Sequence, residues 1–355
     1  MTTGAAFLGG GFMASVHVRA ARMAGARLIA LASSNPDSAQ RAATELGVES
    51  AATSVEQILS RPDVDVVHVC SPNAMHAEQA VAALAAGKNV ICEKPLATTV
   101  TEARAVRDAA RTHGQRGAIP FVYRYHPVVQ QMRKRIADGK AGPIMTLDGS
   151  YLQDWLLSPG DTNWRANSAM GGSSRAFADI GSHLCDLIEF ITGDRIASLT
   201  ARTRIVYSHR QGDEVENEDV AALVVELAGG GVGSLLISQV APGRKNGLTL
   251  EIHGSQESYR FSQEQPEELW IGRQSGSQLL LRSPDAPGDR GLSILPAGHP
   301  LGYQDAFNAF VADAYAAIDD EPTSRLPSFE DGLRAAHLTA AVLESARTGS
   351  WVSPT

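Results

Sequence analysis

The chain has 355 residues, 43% of them hydrophobic and 20% charged. At about 150 residues per domain, that length supports two hydrophobic cores and excludes a single small module. A formal net charge of -8 and a pI near 5.7 give no attraction for a phosphate backbone or an anionic bilayer, which disfavours nucleic-acid and membrane-surface roles and favours small-molecule chemistry. Cys70, Cys92 and Cys185 are too few and too scattered for a disulfide framework, and they suit a reducing cytoplasm. The N-terminus shows no basic stretch followed by an apolar signal region, and no run approaches the ~18 apolar residues of a membrane span. A soluble, unexported chain is the expectation.

The first 120 residues alternate short apolar runs with helix-like segments, the order expected of a parallel sheet covered on both faces. Residues 5–8 read as a strand, 12–24 as a helix ending at Gly25, and 28–32 as a second strand. Asn35-Pro36 then opens a helix running to Gly47, since Asn accepts an orphan helix N–H and Pro suits the first turn. Strand 64–70, helix 74–86, strand 89–92 and helix 99–113 follow, the helices closed by Gly87 and Gly114. After Phe121, strand-like segments succeed one another without helices between them, the pattern of an antiparallel sheet. They fall at 144–156, 196–207, 220–227, 233–240, 248–253 and 268–271, with a glycine-rich turn at 228–232. Helices are expected at 180–191, 303–318 and 329–347, and 274–300 reads as a long functional loop. The fold class is α/β: an N-terminal doubly wound parallel sheet, at 1–122, and a C-terminal α+β domain with a large antiparallel sheet, at 123–355.

Gly9-Gly10-Gly11-Phe12-Met13-Ala14 is a G-x-G-x-x-A sequence between a strand and a helix. Gly9 permits the tight turn, Gly11 lets the main chain approach a pyrophosphate, and Ala14 keeps the helix close to the sheet, so a dinucleotide would sit at the helix N-terminus over Phe12 and Met13. At the end of the second strand, Ser33, Ser34 and Asn35 stand where an acid would bind a ribose 2′-hydroxyl. A 2′-phosphate there meets hydroxyls and no carboxylate, which favours NADP over NAD; equally, these residues are a plain helix cap.

Glu93-Lys94-Pro95 ends the strand at 89–92, placing Lys94 at the carboxyl edge of the sheet, where such folds bind ligands. A lysine beside a nicotinamide can manage the proton of a substrate hydroxyl; alone, it reads equally as a solvated strand end. In Asp179-Ile180-Gly181-Ser182-His183, a helix would put Asp179 and His183 one turn apart on one face, as a proton carrier and a group that orients it or holds a hydroxyl. The alternative is a capping aspartate and a buried, satisfied histidine. A metal site is disfavoured for want of third and fourth ligands at familiar spacing. Trp155 and Trp164 offer apolar faces to a pyranose, with Gln153, Tyr123 and Arg124 able to hydrogen-bond hydroxyls and Arg165 carried beside Trp164; core or interface burial is the alternative for both. His299 and Tyr303 complete the pocket candidates, or simply form a helix entrance.

Together the Gly9-to-Ala14 loop, Ser71-Pro72-Asn73 with His76, Glu93-Lys94-Pro95, Tyr123-Arg124 and Asp179-x-Gly181-x-His183 resemble, in order and spacing, the glucose-fructose oxidoreductase and inositol dehydrogenase (Gfo/Idh/MocA) family. The resemblance implies a Rossmann domain followed by an open-sheet domain, with Lys94 and His183 as acid/base residues and Asp179 holding substrate near them. It also implies that Ser71, Pro72, Asn73, His76 and Glu93 line the cofactor. Residues 151–155 and the pair Trp164-Arg165 are similar to stretches in some sugar-oxidising members. The expected activity is NAD(P)-dependent hydride transfer at a carbinol carbon of a sugar, anhydrosugar or cyclitol. Rivals are reduction of a nucleotide sugar or keto-sugar, and a non-catalytic dinucleotide sensor. A homodimer or homotetramer is expected, because one face of the second sheet needs cover.

Overall fold

Gly4–Leu8 (β1) is buried at every position, as befits a strand covered on both faces. The structure is a computed structural model and describes residues 2–289, 291–319 and 324–355. After β1 come Phe12–Met23 (α1), Arg27–Ala32 (β2), Pro36–Leu46 (α2), Ser50–Ala51 (β3), Val55–Leu59 (α3), Val66–Val69 (β4), His76–Ala85 (α4), Asn89–Cys92 (β5), Val100–His113 (α5) and Gly117–Ala118 (β6). The strands form one parallel sheet in the order β3-β2-β1-β4-β5-β6. Its order reverses beside β1, so the loops leaving the carboxyl ends of β1, β2, β4 and β5 face a common crevice. Local chemistry sets the helix ends. Asn35 and Ser38 cap α2 reciprocally, Thr99 caps α5, and Gly47 and Gly114 close these helices in the left-handed conformation. β3, α3 and β6 lie outside the sequence expectation, because two to five residues carry no readable period.

The chain continues through Pro127–Ala137 (α6), Ile144–Leu152 (β7), Ser168–Gly171 (α7), a π-turn at Phe177–Gly181, and Ser182–Thr192 (α8). Ile196–Arg204 (β8), His209–Arg210 (β9), Asp213–Glu214 (β10), Val220–Leu227 (β11), Val232–Ser238 (β12), Gly247–Gly254 (β13), Ser258–Ser262 (β14), Glu268–Arg273 (β15) and Gly276–Leu281 (β16) follow. Tyr303–Ile318 (α9) and Phe329–Thr348 (α10) are the last helices. The large sheet runs β16-β15-β14-β13-β7-β12-β11-β8 and is antiparallel except at β12–β7. α8 packs on β7 and β13, and α6 on β14 and β15. A Cβ at Gly149 would lie 3.1 Å from Leu184 of α8, a tight contact, so the helix lies directly on that strand.

The structure departs from the sequence expectation at several points. α6 stands where only strands are expected; Pro127 opens it, and Val128, Val129 and Met132 bury its inner face. The strand at 144–156 stops at Leu152, the last residue paired to both β12 and β13, so Trp155 is not on the sheet. The expected helix at 180–191 is a π-turn followed by α8, so α-helical spacing does not relate Asp179 to His183. β16 occupies the start of the expected loop at 274–300; an edge strand exposed at nearly every position has no apolar alternation to betray it.

By contact the chain forms two units, Met1–Val122 with Tyr303–Ala336, and Tyr123–Gly302 with His337–Thr355. The expected division, 1–122 against 123–355, puts α9 in the second unit, yet α9 packs on α1 in the first. Such a return is written in no local pattern, because it depends on which apolar faces match. Leu8, Ile29, Val67, Leu84 and Val90 lie in the first unit's core, with Phe329 closing it over Gly117. Each such large side chain contributes about 1.5–3 kcal/mol when buried. No described helix is long and apolar enough to cross a membrane.

Candidate active site

In the first unit, the turn after β1 can be made only by glycine. Gly9 has φ +118, and a Cβ there would lie 2.6 Å from the Cys70 carbonyl oxygen. Gly11 is different. Its φ is -88, and a Cβ would meet nothing within 4 Å, so the protein itself does not demand glycine there. Gly11 is the N-cap of α1, gives no side-chain cap, and the first turn has no acid. The positive end of the helix therefore faces a cradle without side chains, fit for a pyrophosphate. Ala14 is fully buried, Phe12 is exposed and Met13 half-buried, as the G-x-G-x-x-A reading requires.

The corner after β2 is more committed. The Asn35 side chain accepts from the Ser38 N–H at 2.9 Å, so it serves as the cap of α2, and Ser34 Oγ lies 3.3 Å from Ser38 Oγ. Ser33 is half-buried, its Oγ 3.2 Å from where a Cβ of Gly10 would stand. Asp37, not singled out in the sequence, supplies a carboxylate in the first turn of α2.

The loops after β4 and β5 are tied together. His76 is buried, with Nε2 2.8 Å from the Ser71 carbonyl and Nδ1 2.7 Å from that of Pro95. Burial pushes its pKa down against the pull of the two carbonyls, so at neutral pH the ring donates to one of them only. His76 thus clamps the loops from within. Ser71 Oγ donates to Gln79, Pro72 is half-buried, and Asn73 is buried at the start of a short 3-10 turn. Glu93 is buried and accepts from the Lys94 N–H at 3.0 Å and from His17 at 3.1 Å; Lys94 is half-buried and its bond to Pro95 is cis. Tyr303 begins α9, half-buried, with its ring against Phe307.

In the second unit, His183 is buried at the start of α8, its ring edge-on to Tyr123 at 5.1 Å and near Tyr151 at 6.4 Å. Asp179 lies in the π-turn. Its Oδ2 accepts from Gln239 Nε2 at 2.8 Å, and its Oδ1 is 3.5 Å from Arg165 Nε. The turn is capped by Glu218, not by Asp179: Glu218 Oε1 accepts from the Arg175 and Phe177 N–H groups and from Ser174 Oγ. A Cβ at Gly181 would strike the Phe177 ring at 2.5 Å, which makes the glycine a packing requirement. Arg175 and Arg210 share Asp219 in the fully buried layer behind this turn.

Tyr123 and Tyr151 share a hydrogen bond, Tyr151 donates to Asn246 Oδ1 at 2.6 Å, and Trp155 donates to Gln153 Oε1 at 2.8 Å. Burial pushes the Tyr123 hydroxyl up to about 12, so it remains a neutral donor. Arg165 stacks over the half-buried Trp164 at 4.3 Å. One sequence candidate is corrected. Arg124 is buried in a two-armed ion pair with Asp186 and lies over Phe190, so it holds α8 and is not an open sugar contact. The His299 side chain is exposed, and its carbonyl accepts from Arg282. Gln239, Asn246 and Glu218 were missed; strand and loop positions that act through distant partners leave no spacing signal. Among the described residues, no group of three or more His, Cys, Asp or Glu side chains is placed to hold a metal.

Residues 3–120 match the oxidoreductase family with an NAD-binding Rossmann fold, and residues 129–260 the GFO/IDH/MocA C-terminal domain. A levoglucosan dehydrogenase from Pseudarthrobacter phenanthrenivorans is 33% identical over 97% of this chain and 96% of its own. A 1,5-anhydro-D-fructose reductase from Ensifer adhaerens is 30% identical over 94% of this chain and 92% of its own. The solved complex of levoglucosan dehydrogenase with NADH and levoglucosan matches with a TM-score of 0.93 at 32% identity, over 99% of each chain. With both halves matched and full-length relatives at this identity, the chain belongs to the Gfo/Idh/MocA family of NAD-binding oxidoreductases.

Proposed function

We propose that the protein is an NAD(P)-dependent dehydrogenase of a free sugar, anhydrosugar or cyclitol, with Lys94 and His183 as acid/base residues and Asp179 as a substrate-holding carboxylate. The observation that carries this reading is the π-turn site: a carboxylate held by Gln239 and Arg165, and a buried imidazole against two tyrosines. A bound nicotinamide supplies the hydride acceptor. The chain's own work is to hold the pyrophosphate at Gly9, Gly11 and the α1 terminus, and to line the cofactor with Ser71, Pro72, Asn73 and Glu93. Lys94 and His183 exchange the hydroxyl proton, and Tyr123, Gln153, Trp155, Trp164 and Arg165 position the ring. The likeness to levoglucosan dehydrogenase supports an anhydrosugar.

Cofactor choice rests on the corner after β2. The absence of a carboxylate at Ser33, Ser34 and Asn35 supports NADP, while Asp37 and the NADH or NAD+ of solved relatives support NAD. We take the enzyme to use both, with NADP and NAD differing less than about tenfold in kcat/KM, or ~1.4 kcal/mol. The decisive assay offers free sugars, anhydrosugars, cyclitols and nucleotide sugars with each dinucleotide and reads nicotinamide absorbance. Turnover confined to nucleotide sugars would overturn the reading. A second reading, reduction of a keto-sugar, is favoured by the likeness to 1,5-anhydro-D-fructose reductase, and the same assay run with reduced cofactor tests it. A homo-oligomer is proposed from aliphatic side chains exposed on the large sheet, and a cytoplasmic location from three cysteines too few and too scattered for a disulfide framework.

A further inference from the structure

We infer that Tyr315, His68 and His17 form a proton-ordered positioning chain that holds the Glu93 carboxylate and, through it, the main chain of Lys94. The inference rests on the reading of Lys94 as an acid/base residue and deepens it. Four elements contribute. His17 of α1 has Nε2 3.1 Å from Glu93 Oε1 and Nδ1 2.9 Å from Nδ1 of His68 on β4. His68 Nε2 lies 2.7 Å from the hydroxyl of Tyr315 on α9. The second oxygen of Glu93, after β5, accepts from the Lys94 N–H at 3.0 Å.

For neutral rings the contacts assign the protons. A neutral imidazole has one N–H and one lone pair, so the contact between two Nδ1 atoms needs one proton, not two. The Glu93 carboxylate only accepts, so His17 donates from Nε2 and its Nδ1 is bare. His68 then donates from Nδ1, and its bare Nε2 takes the proton of Tyr315. For neutral rings every link is satisfied in this one direction; the reverse requires a protonated Glu93, or a doubly protonated His17 with the His68 proton on Nε2. Charge agrees with geometry. Burial pushes the His68 pKa well down and the Tyr315 hydroxyl far up, so both are neutral. Burial alone raises Glu93, but the hydrogen bond from His17, with Lys94 and His76 nearby, brings it below the usual carboxylate range. Its other titratable neighbours, Cys70 and Cys92, are held as neutral thiols by burial.

A strand reading Val67-His68-Val69 in a parallel sheet would ordinarily carry a third aliphatic residue, and an apolar replacement avoids the cost of burying polar groups. The retained histidines therefore point to a task. Tyr315 and Glu93 are 6% and 5% exposed, so the chain orders protons without discharging them to water. Its task is to fix the loop that presents Lys94, as outer-shell partners orient reacting groups elsewhere.

Nitrogen-15 histidine spectra of the full chain at neutral pH should show His17 protonated at Nε2 and His68 at Nδ1. His17→Leu should lose about tenfold or more in kcat with the sugar KM within about threefold, and His17→Gln, whose amide can donate to Glu93 and accept from His68, should recover most of it. Full kcat in folded His17→Leu, no recovery in His17→Gln, or a bare Nδ1 on His68 would each overturn the proposal. Should His17→Leu fail to fold, Tyr315→Phe decides: a fall of about threefold or more in kcat supports the chain, and an unchanged kcat refutes it. Wild-type turnover in Lys94→Ala would defeat the reading of Lys94 instead, because the tautomer spectra do not involve that residue.

Discussion

Lys94 and His183 carry the proposed proton chemistry, and their removal should separate chemistry from binding. Lys94→Ala and His183→Ala are each expected to lower kcat about 100-fold or more while the dinucleotide Kd, read by fluorescence titration, stays within about threefold. Equal loss of binding would place the residue in cofactor retention. A second residue-scale consequence concerns acid. His126, buried beside Tyr123, has its pKa lowered from 6.5 to about 4 by burial. The unfolded chain binds this proton first as pH falls. The neutral ring's contribution is therefore whole above pH 6.5 and is lost as pH falls towards about 4, at most ~3 kcal/mol from this one group. Urea midpoints at pH 7 and pH 4.5 should diverge in the wild type and converge measurably in His126→Phe. Lys94, His183 and Asp179 were legible in the sequence as residue types in order. Arg124 was legible in the same way but is spent on Asp186, since a guanidinium's partner is set 62 residues away.

At the scale of elements, the two glycines of the first turn make opposite predictions. Gly9→Ala forces a side chain into a positive-φ position against the Cys70 carbonyl and should cost about 1–3 kcal/mol of stability. Gly11→Ala meets no protein atom and keeps an ordinary φ, so its melting temperature should hold while its NAD(P)H Kd rises about tenfold or more, ~1.4 kcal/mol. Calorimetry and titration on the same two variants check both. Gly11→Ala with unimpaired binding would show that no phosphate approaches that cradle. The strand-turn-helix here was readable because glycine, apolar run and helical period coincide. The π-turn of Asp179 was not, because its cap is Glu218, from the segment before β11.

For the molecule as a whole, the large sheet presents Val224, Val232 and Leu236 on an exposed face of adjacent strands, with Met145 also exposed on β7. A face of this kind is expected to be covered by another copy. Light scattering should give a multiple of the 37.6 kDa chain, and the double variant Val224→Lys with Leu236→Lys should shift it towards the monomer. A wild-type monomer would refute self-association.

The sequence by itself determined the two sheet types, the cofactor turn and the family, because these are written in local periods, glycine placement and motif order. Tertiary structure alone decided that α9 packs on α1, that Tyr151 and Asn246 join Tyr123, and that His17 reaches His68 and Glu93. The physical reason is range. Backbone conformation and apolar rhythm act within a few residues, whereas a buried polar side chain finds its partner only after the chain has closed around it.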